Sequence, residues 1–582
     1  MNELLDPLII VIFGVLAIAA ATAIAPKIGI AGPLILVVLG LGVSLLPFVP
    51  PVEVEPEVIL IGILPPLLYS AAVALPAIEF RRDFGPISGL SVLLVLVSSI
   101  VLGFFFHAMI PELDILLAIA LGAILSPTDA VATSIVKRLG ISRRVVTMLD
   151  GESLLNDATS LVLLRTLVAA VALGSIPSGG VVGAFVWGVF VAVVVGAIIG
   201  WLNLRLRALI RHSAANTAVG FIVPFAAYLP TEHLGGSGLV AAVVAGIVTG
   251  QGSARWFTPE QRLSDELNWR TIELILEGGV FLLMGLELKD ILEQNAASDD
   301  GIGQGIGLAA IALALLLLVR AVYVSLLVWL QSRNARGKQR TELERVSSRL
   351  DDVESSPPST AKRGRHGGPR TPEQGTRWLA SGRARIARAF VDLDYYQASP
   401  LGWKHGTIIV WAGMRGVVTL AAAQTLPRDT PERPLLIFVA FLVAIGSLLI
   451  QGSTLPWLVR ILRLTGDQEG IDTEDRKRID DELRLAAASA LADPALVRLD
   501  GTPFPDGLLE KVGARLTEPP DDDTTVFARD MLQLRMAMID AMRRRLLELA
   551  SGGTYGTMAL RHALAELDAD EISLQLRLDD ED

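Results

Sequence analysis

Three stretches of the chain carry ionisable side chains inside long apolar runs. Ser126-Pro127-Thr128-Asp129-Ala130-Val131-Ala132 sets a hydroxyl and a carboxylate directly behind a proline. Gly151-Glu152-Ser153-Leu154-Leu155-Asn156-Asp157-Ala158-Thr159 brings two carboxylates, a hydroxyl and an amide. Trp411-Ala412-Gly413-Met414-Arg415-Gly416-Val417 places an arginine between glycines. A charge at mid-membrane costs about 2.5–3.5 kcal/mol on insertion scales, so such residues are functional candidates. The oxygen donors are hard, which suits an alkali cation and not a soft metal.

Pro127 removes a helical amide and clashes with the preceding turn. An apolar run, a breaker and then polar groups is the pattern of a discontinuous helix whose freed backbone groups face an ion. The plainer alternative is a proline kink with Asp129 capping the second half-helix. In the second stretch Glu152 and Asn156 stand i, i+4, as do Ser153 and Asp157, so all four polar groups are expected on one broad face. The alternative there is a helix start near the interface, its carboxylates favoured by the dipole. Apolar sequence continues about 17 residues past Asp157, which instead puts Asp157 in the cytoplasmic half of a span. Gly413 and Gly416 permit a break or a close helix approach beside Arg415. A buried arginine needs a carboxylate, and Glu152 is the expected partner; the alternative is an arginine that snorkels to the interface.

This chemistry suits ion exchange. Burial favours the protonated form of a carboxylate, and a nearby cation favours the ionised form. A buried Asp157 can then hold a proton or a cation in turn. If only the loaded forms cross, exchange is obligatory, and one titrating site gives one proton per cation. Asn156 stands where a second aspartate would allow two protons; titration of Asp129 would also change the ratio.

The elements that must position these groups follow from composition. Of 582 residues, 52% are hydrophobic and 19% charged, where soluble chains carry about 25% charged residues. Apolar runs near 20 residues long, the length that spans a bilayer core, recur at roughly 7–25, 29–48, 58–76, 87–109, 114–136, 146–173, 180–204, 213–230, 236–250, 269–288, 303–330, 403–425 and 434–460. An all-α polytopic membrane protein of about thirteen helices is expected, because each span must satisfy its own backbone in lipid. With no cysteine and six scattered His, disulfides and thiolate or paired-histidine metal sites are excluded. The net charge of −11 argues against nucleic acid.

Helices 1–11 occupy residues 1–331 and helices 12–13 residues 403–460. Between them, 332–402 holds 14 basic and 8 acidic side chains and reads as a partly disordered loop. Residues 466–582 hold 27 acidic and 14 basic side chains. Within this tail, 529–549 has helical apolar spacing, so a small acidic helical domain is expected; a solvated tail without a core is the alternative. Alternate short loops carry 13 Lys and Arg against 3 in the other set. The basic set is therefore cytoplasmic, with the N-terminus outside and the C-terminus inside. Glu3 and Asp6 precede the first span without a basic residue, so no cleaved signal peptide is expected.

At these three stretches the sequence resembles the monovalent cation:proton antiporter family of the NhaP and animal sodium/proton exchanger type, in the bacterial branch with a long cytoplasmic insert and C-terminal domain. Ser126–Ala132 resembles its Thr-Asp motif, Glu152–Asp157 its Glu-Ser…Asn-Asp motif, and Arg415 its glycine-flanked arginine. The resemblance covers roughly residues 7–460 apart from the insert. It implies an inverted-repeat fold with discontinuous helices, a dimerisation domain and a core that moves as an elevator. It implies a homodimeric plasma-membrane (bacterial inner-membrane) protein that exchanges Na+, K+ or Li+ for H+ in pH and cation homeostasis, with no enzymatic activity and no cofactor. By the same resemblance Asp157 binds cation and proton in turn, Ser153 and the backbone at Thr128 add oxygens, Asp129 acts through water, and Glu152 with Arg415 holds Asn156. The family often carries an acid late in the third span, where Leu67-Leu68-Tyr69-Ser70 puts Ser70.

Arg165 is expected in a structural ion pair, and Arg320 with Glu273 or Glu277. A potassium/proton antiporter regulated by its tail is the nearest alternative. A sodium-coupled symporter, a membrane sensor and an intramembrane carboxylate enzyme are more distant ones; with 6 Tyr and no P-loop, the chain offers them little. No ligand for the tail is legible.

Overall fold

The computed structural model describes residues 2–28, 31–47, 49, 55–172, 180–210, 212–296, 301–334 and 401–464, with scattered residues between 532 and 575. The chain forms two compact units, Met1–Gln468 and Glu469–Asp582. The insert expected at 332–402 falls outside the described residues from 335 to 400, and so does nearly all of the acidic tail. In the second unit the residues described at 569–575 are helical.

Among the described residues the first unit is all-helical. It begins with α1 Asn2–Ile28 and α2 Gly32–Ser44, then a wide π turn at Val58–Ile63 running into α3 Leu64–Ala74. Short helices α4 Ala77–Arg82 and α5 Phe84–Ser88 lead through a second π turn, Gly89–Leu93, into α6 Leu94–Met109. Next come α7 Ile115–Leu125, α8 Val131–Arg138 and α9 Arg143–Ala172. Then follow α10 Gly180–Leu209, α11 Ser213–His233, α12 Gly238–Trp256, α13 Pro259–Leu286, α14 Leu288–Ala296 and α15 Gly301–Asn334. After the insert lie α16 Trp403–Trp411, α17 Val417–Gln424 and α18 Arg433–Leu462.

Over the described residues the apolar runs coincide with helices or with consecutive helical segments. Among the described residues five helices are long and apolar enough to cross a bilayer: Phe84–Met109, Arg143–Ala172, Val182–Leu209, Ile302–Gln331 and Arg433–Leu462. The outer faces are apolar. Phe13 and Leu16 on α1, Trp187 and Phe190 on α10, and Leu318 and Val322 on α15 are all exposed. A helical bundle with large apolar residues inside and outside is built for lipid.

Small residues bring the helices close, as expected where packing replaces the hydrophobic drive. A Cβ on Gly200 of α10 would lie 2.8 Å from the Ala245 carbonyl of α12. The buried centre is formed by α9 and α18, most of whose residues are buried. Local signals set the ends. The Asp114 side chain accepts the Leu116 amide at 2.8 Å and starts α7. Thr258 and Gln261 form a reciprocal capping box at the start of α13.

Candidate functional site

Two spans are interrupted: α7 and α8 by residues 126–130, and α16 and α17 by residues 412–416. Pro127 has no amide with which to continue α7. The two interruptions meet, because the Asp129 amide donates to the Met414 carbonyl at 2.7 Å. One carboxylate oxygen of Asp129 accepts the Val131 amide at 3.0 Å. The other lies against Gly416, where any Cβ would collide with it. A single carboxylate therefore stands at the starts of α8 and α17, the positive ends of two half-helices.

The negative ends carry arginines. Arg415 Nε donates to the Leu125 carbonyl at the end of α7, at 3.1 Å. Arg320 Nε donates to the Ile409 carbonyl in the last turn of α16, at 2.9 Å. Arg415 also donates to the Gly413 carbonyl, and its backbone amide donates to Ser447 Oγ at 2.8 Å.

Glu152 pairs with Arg320 and not with Arg415, which corrects the pairing expected from the sequence. Arg320 Nη2 meets Glu152 Oε2 at 2.8 Å, and Nη1 bonds Oε1. The two side chains are 2% and 1% exposed. The reason is spatial. Arg320 packs on Gly413, where a Cβ would lie 2.6 Å from its Nε, while Arg415 is engaged by carbonyls of the breaks. The expected link from Arg320 to Glu273 or Glu277 is likewise overturned; Glu273 accepts from Ser70 Oγ at 3.4 Å. Glu152 Oε1 also accepts from Thr128 Oγ1 at 3.3 Å, and Thr128 Oγ1 accepts from Asn156 Nδ2 at 2.7 Å. Asn156 is thus oriented through Thr128 by the Glu152–Arg320 pair.

The expected single polar face of α9 is split in two. Glu152 and Asn156 turn into this packed network. Ser153 and Asp157 turn into a cavity of about 780 Å³, which Thr128, Pro127, Asp129 and Gly416 also line. Asp157 is 9% exposed, and among the described residues its carboxylate accepts no hydrogen bond. Its lone pairs face the cavity. The Ser153 hydroxyl bonds the Asp150 carbonyl at 3.3 Å and keeps acceptor capacity for a ligand.

Asp150, Glu273 and Glu277 line the same cavity and were not singled out as site residues. Spacing carries a signal for them: Asp150 lies two turns before Asp157 on one face of α9, and Glu273 and Glu277 stand i, i+4. The cavity also reaches Lys137 of α8 and Arg262 and Arg270 of α13. Among the described residues no three His, Asp or Glu side chains gather as a resident-metal cluster. Arg165 pairs with Glu232 and donates to Tyr228 Oη at 3.3 Å, away from this cavity.

A family model described as "Sodium/hydrogen exchanger, transmembrane" matches residues 13–346 and 383–461. The chain belongs to the sodium/hydrogen exchanger family. It is a member of a family of transporters, not enzymes. An uncharacterized Na(+)/H(+) exchanger of Mycobacterium bovis is 26% identical over 580 residues, covering 97% of this chain and 96% of that one. A sodium, potassium, lithium and rubidium/H(+) antiporter of Bacillus subtilis is 27% identical over 442 residues, 73% of this chain and 57% of that protein. In fold, this exchanger is similar to the sodium proton antiporter MjNhaP1 of Methanocaldococcus jannaschii, with a TM-score of 0.54 and 17% identity, over 78% of this chain and 99% of that chain.

Proposed function

We propose that this exchanger moves Na+, or K+ or Li+, against H+ at the Asp157 carboxylate with a ratio of one to one. The observation that carries the proposal is the placement of Asp157: a carboxylate that accepts no hydrogen bond among the described residues, facing a large cavity beside two crossed helix breaks. Ser153 and the backbone at Thr128 supply further oxygens to the cation. Asp129 holds the starts of α8 and α17 and acts on the ion through water. Asn156, fixed by Thr128, Glu152 and Arg320, keeps the wall behind the site rigid. Arg415 braces the breaks.

The mechanism follows from charge. Cation-bound and proton-bound Asp157 carry the same net charge, and either loaded form avoids an uncompensated charge at mid-membrane. The bare carboxylate does not, so return without cargo is disfavoured and exchange is coupled. We place thirteen crossings in the chain, with the basic loops cytoplasmic, the N-terminus outside and the C-terminal unit inside. With that placement, Lys137, Arg262 and Arg270 at the cavity support reading this as the state open to the cytoplasm. The core carrying the crossed breaks moves as an elevator within a homodimer in the plasma membrane. The Bacillus subtilis relative, named for four alkali cations, supports a site that is not confined to sodium.

The test uses purified protein in sealed proteoliposomes with a pH dye inside. An imposed sodium gradient is expected to drive protons the opposite way, at a rate unchanged when valinomycin and potassium clamp the membrane potential. Sodium movement without opposing protons ends the proposal, and a rate set by the clamp ends the one-to-one ratio.

A further inference from the structure

Behind Asn156 lies a second, small cavity of about 10 Å³. It shares no lining residue with the large cavity. Its polar wall is formed by Ser98, Ser126, Glu152, Asn156, Arg320 and Arg415, and leucine and valine side chains make up the rest. This volume is about that of one water-sized sphere, and a buried water needs two to four polar partners.

Two side chains in this wall have unused hydrogen-bonding capacity. Asn156 is 1% exposed, and its Oδ1 has no partner among the described residues. Arg415 is 2% exposed. Its Nε and Nη1 donate to the Leu125 and Gly413 carbonyls, while Nη2 donates to no described residue. A buried donor and a buried acceptor left unmade would each be costly. Neither can be served from the ion-facing cavity.

We propose that this cavity binds one ordered water molecule, which accepts from Arg415 Nη2 and donates to Asn156 Oδ1 and to the Glu152 carboxylate. Two guanidinium groups in the wall disfavour a cation, and the small volume suits a single water. The water supplies the link between Arg415 and Glu152 that direct contact does not. Asn156, the neighbour of Asp157, is then held at both ends of its amide: Nδ2 by Thr128 and Oδ1 by the water. Both arginines that cap the half-helices become part of one network.

The test combines density with a cavity-filling variant. A map of the parent protein that resolves ordered waters is expected to show one peak within hydrogen-bond reach of Asn156 Oδ1 and Arg415 Nη2. Val95 lines the cavity and is 1% exposed. Val95→Ile adds one methyl group, expels the water and is expected to lower Tm by about 3 °C or more, because donor and acceptor are both stranded. A dry void behaves oppositely: no peak in the parent, and a Tm that holds or rises once the space is filled. That pair of results overturns the proposal, and the parent map decides alone if the variant does not fold. Neither readout involves ion flux, so failure here leaves the transport reading standing.

Discussion

Arg320 on α15 grips Glu152 on α9 with both terminal guanidinium nitrogens, and from Nε the same side chain donates to the Ile409 carbonyl on α16. One residue therefore neutralises a buried carboxylate and satisfies the end of a broken helix. Three elements that flank the site are joined through it.

Removing Arg320 leaves Glu152 buried and unpaired. Arg320→Ala is expected to cost about 3–5 kcal/mol, as for other broken buried pairs. The measurement is the Tm of detergent-solubilised protein by fluorescence-detected size exclusion. The double variant Glu152→Gln with Arg320→Gln is expected to recover part of the loss, since no net charge is stranded. A single variant as stable as the parent contradicts the pairing.

Arg320 illustrates where sequence reading stops. Its position in an apolar run marks it as a buried charge that needs a partner. Glu152, Glu273 and Glu277 all qualify by type, and the choice among them depends on how α15 packs against Gly413, which is a tertiary fact. The breaks are more legible, because Pro127 and the Gly413–Gly416 pair act on their own backbone. That the two breaks touch, Asp129 to Met414, is not written in either stretch. The polar face of α9 was legible as a cluster, but its division into an inner and a cavity side depends on neighbours contributed by α7 and α15. The long apolar helices were read directly from run length, since lipid imposes that length on the sequence.

Gly416 leaves room for the Asp129 carboxylate that rests on it, where any Cβ would collide. Its φ of −123° suits any residue, so the constraint is space and not backbone freedom. Gly416→Ala is expected to push Asp129 off the Val131 amide and to slow exchange by at least about tenfold, because displacements near 1 Å at a working centre cost about a hundredfold. Sodium-driven dye quenching in proteoliposomes checks this; parental rates would mean that the carboxylate has room to move freely.

Proton and cation compete for one carboxylate, which fixes the sign of the pH dependence. Lowering pH protonates the site, so more cation is needed to displace the proton and the apparent KM for sodium rises. In the limit where the proton dominates, the rise is roughly tenfold per pH unit by mass action. Initial rates across sodium concentration at several pH values test this. An apparent KM independent of pH through the active range contradicts a shared site.

Arg165 and Glu232 form a half-exposed pair, with side chains 43% and 27% exposed. Water screens such a pair, so Arg165→Ala is expected to change stability by no more than about 1 kcal/mol. Thermal melts of the variant check this. A loss as large as that expected for Arg320→Ala would assign the pair a structural weight its exposure does not suggest.

The most direct test of the central claim is paired flux from Asp157→Asn and parent protein reconstituted side by side, with insertion checked by matched size-exclusion profiles. An amide at position 157 can neither take up a proton nor balance a cation. The expected result is folded protein with no sodium-driven proton movement at any pH. Exchange by the Asp157→Asn variant at or near the parental rate would show that the coupling site lies elsewhere.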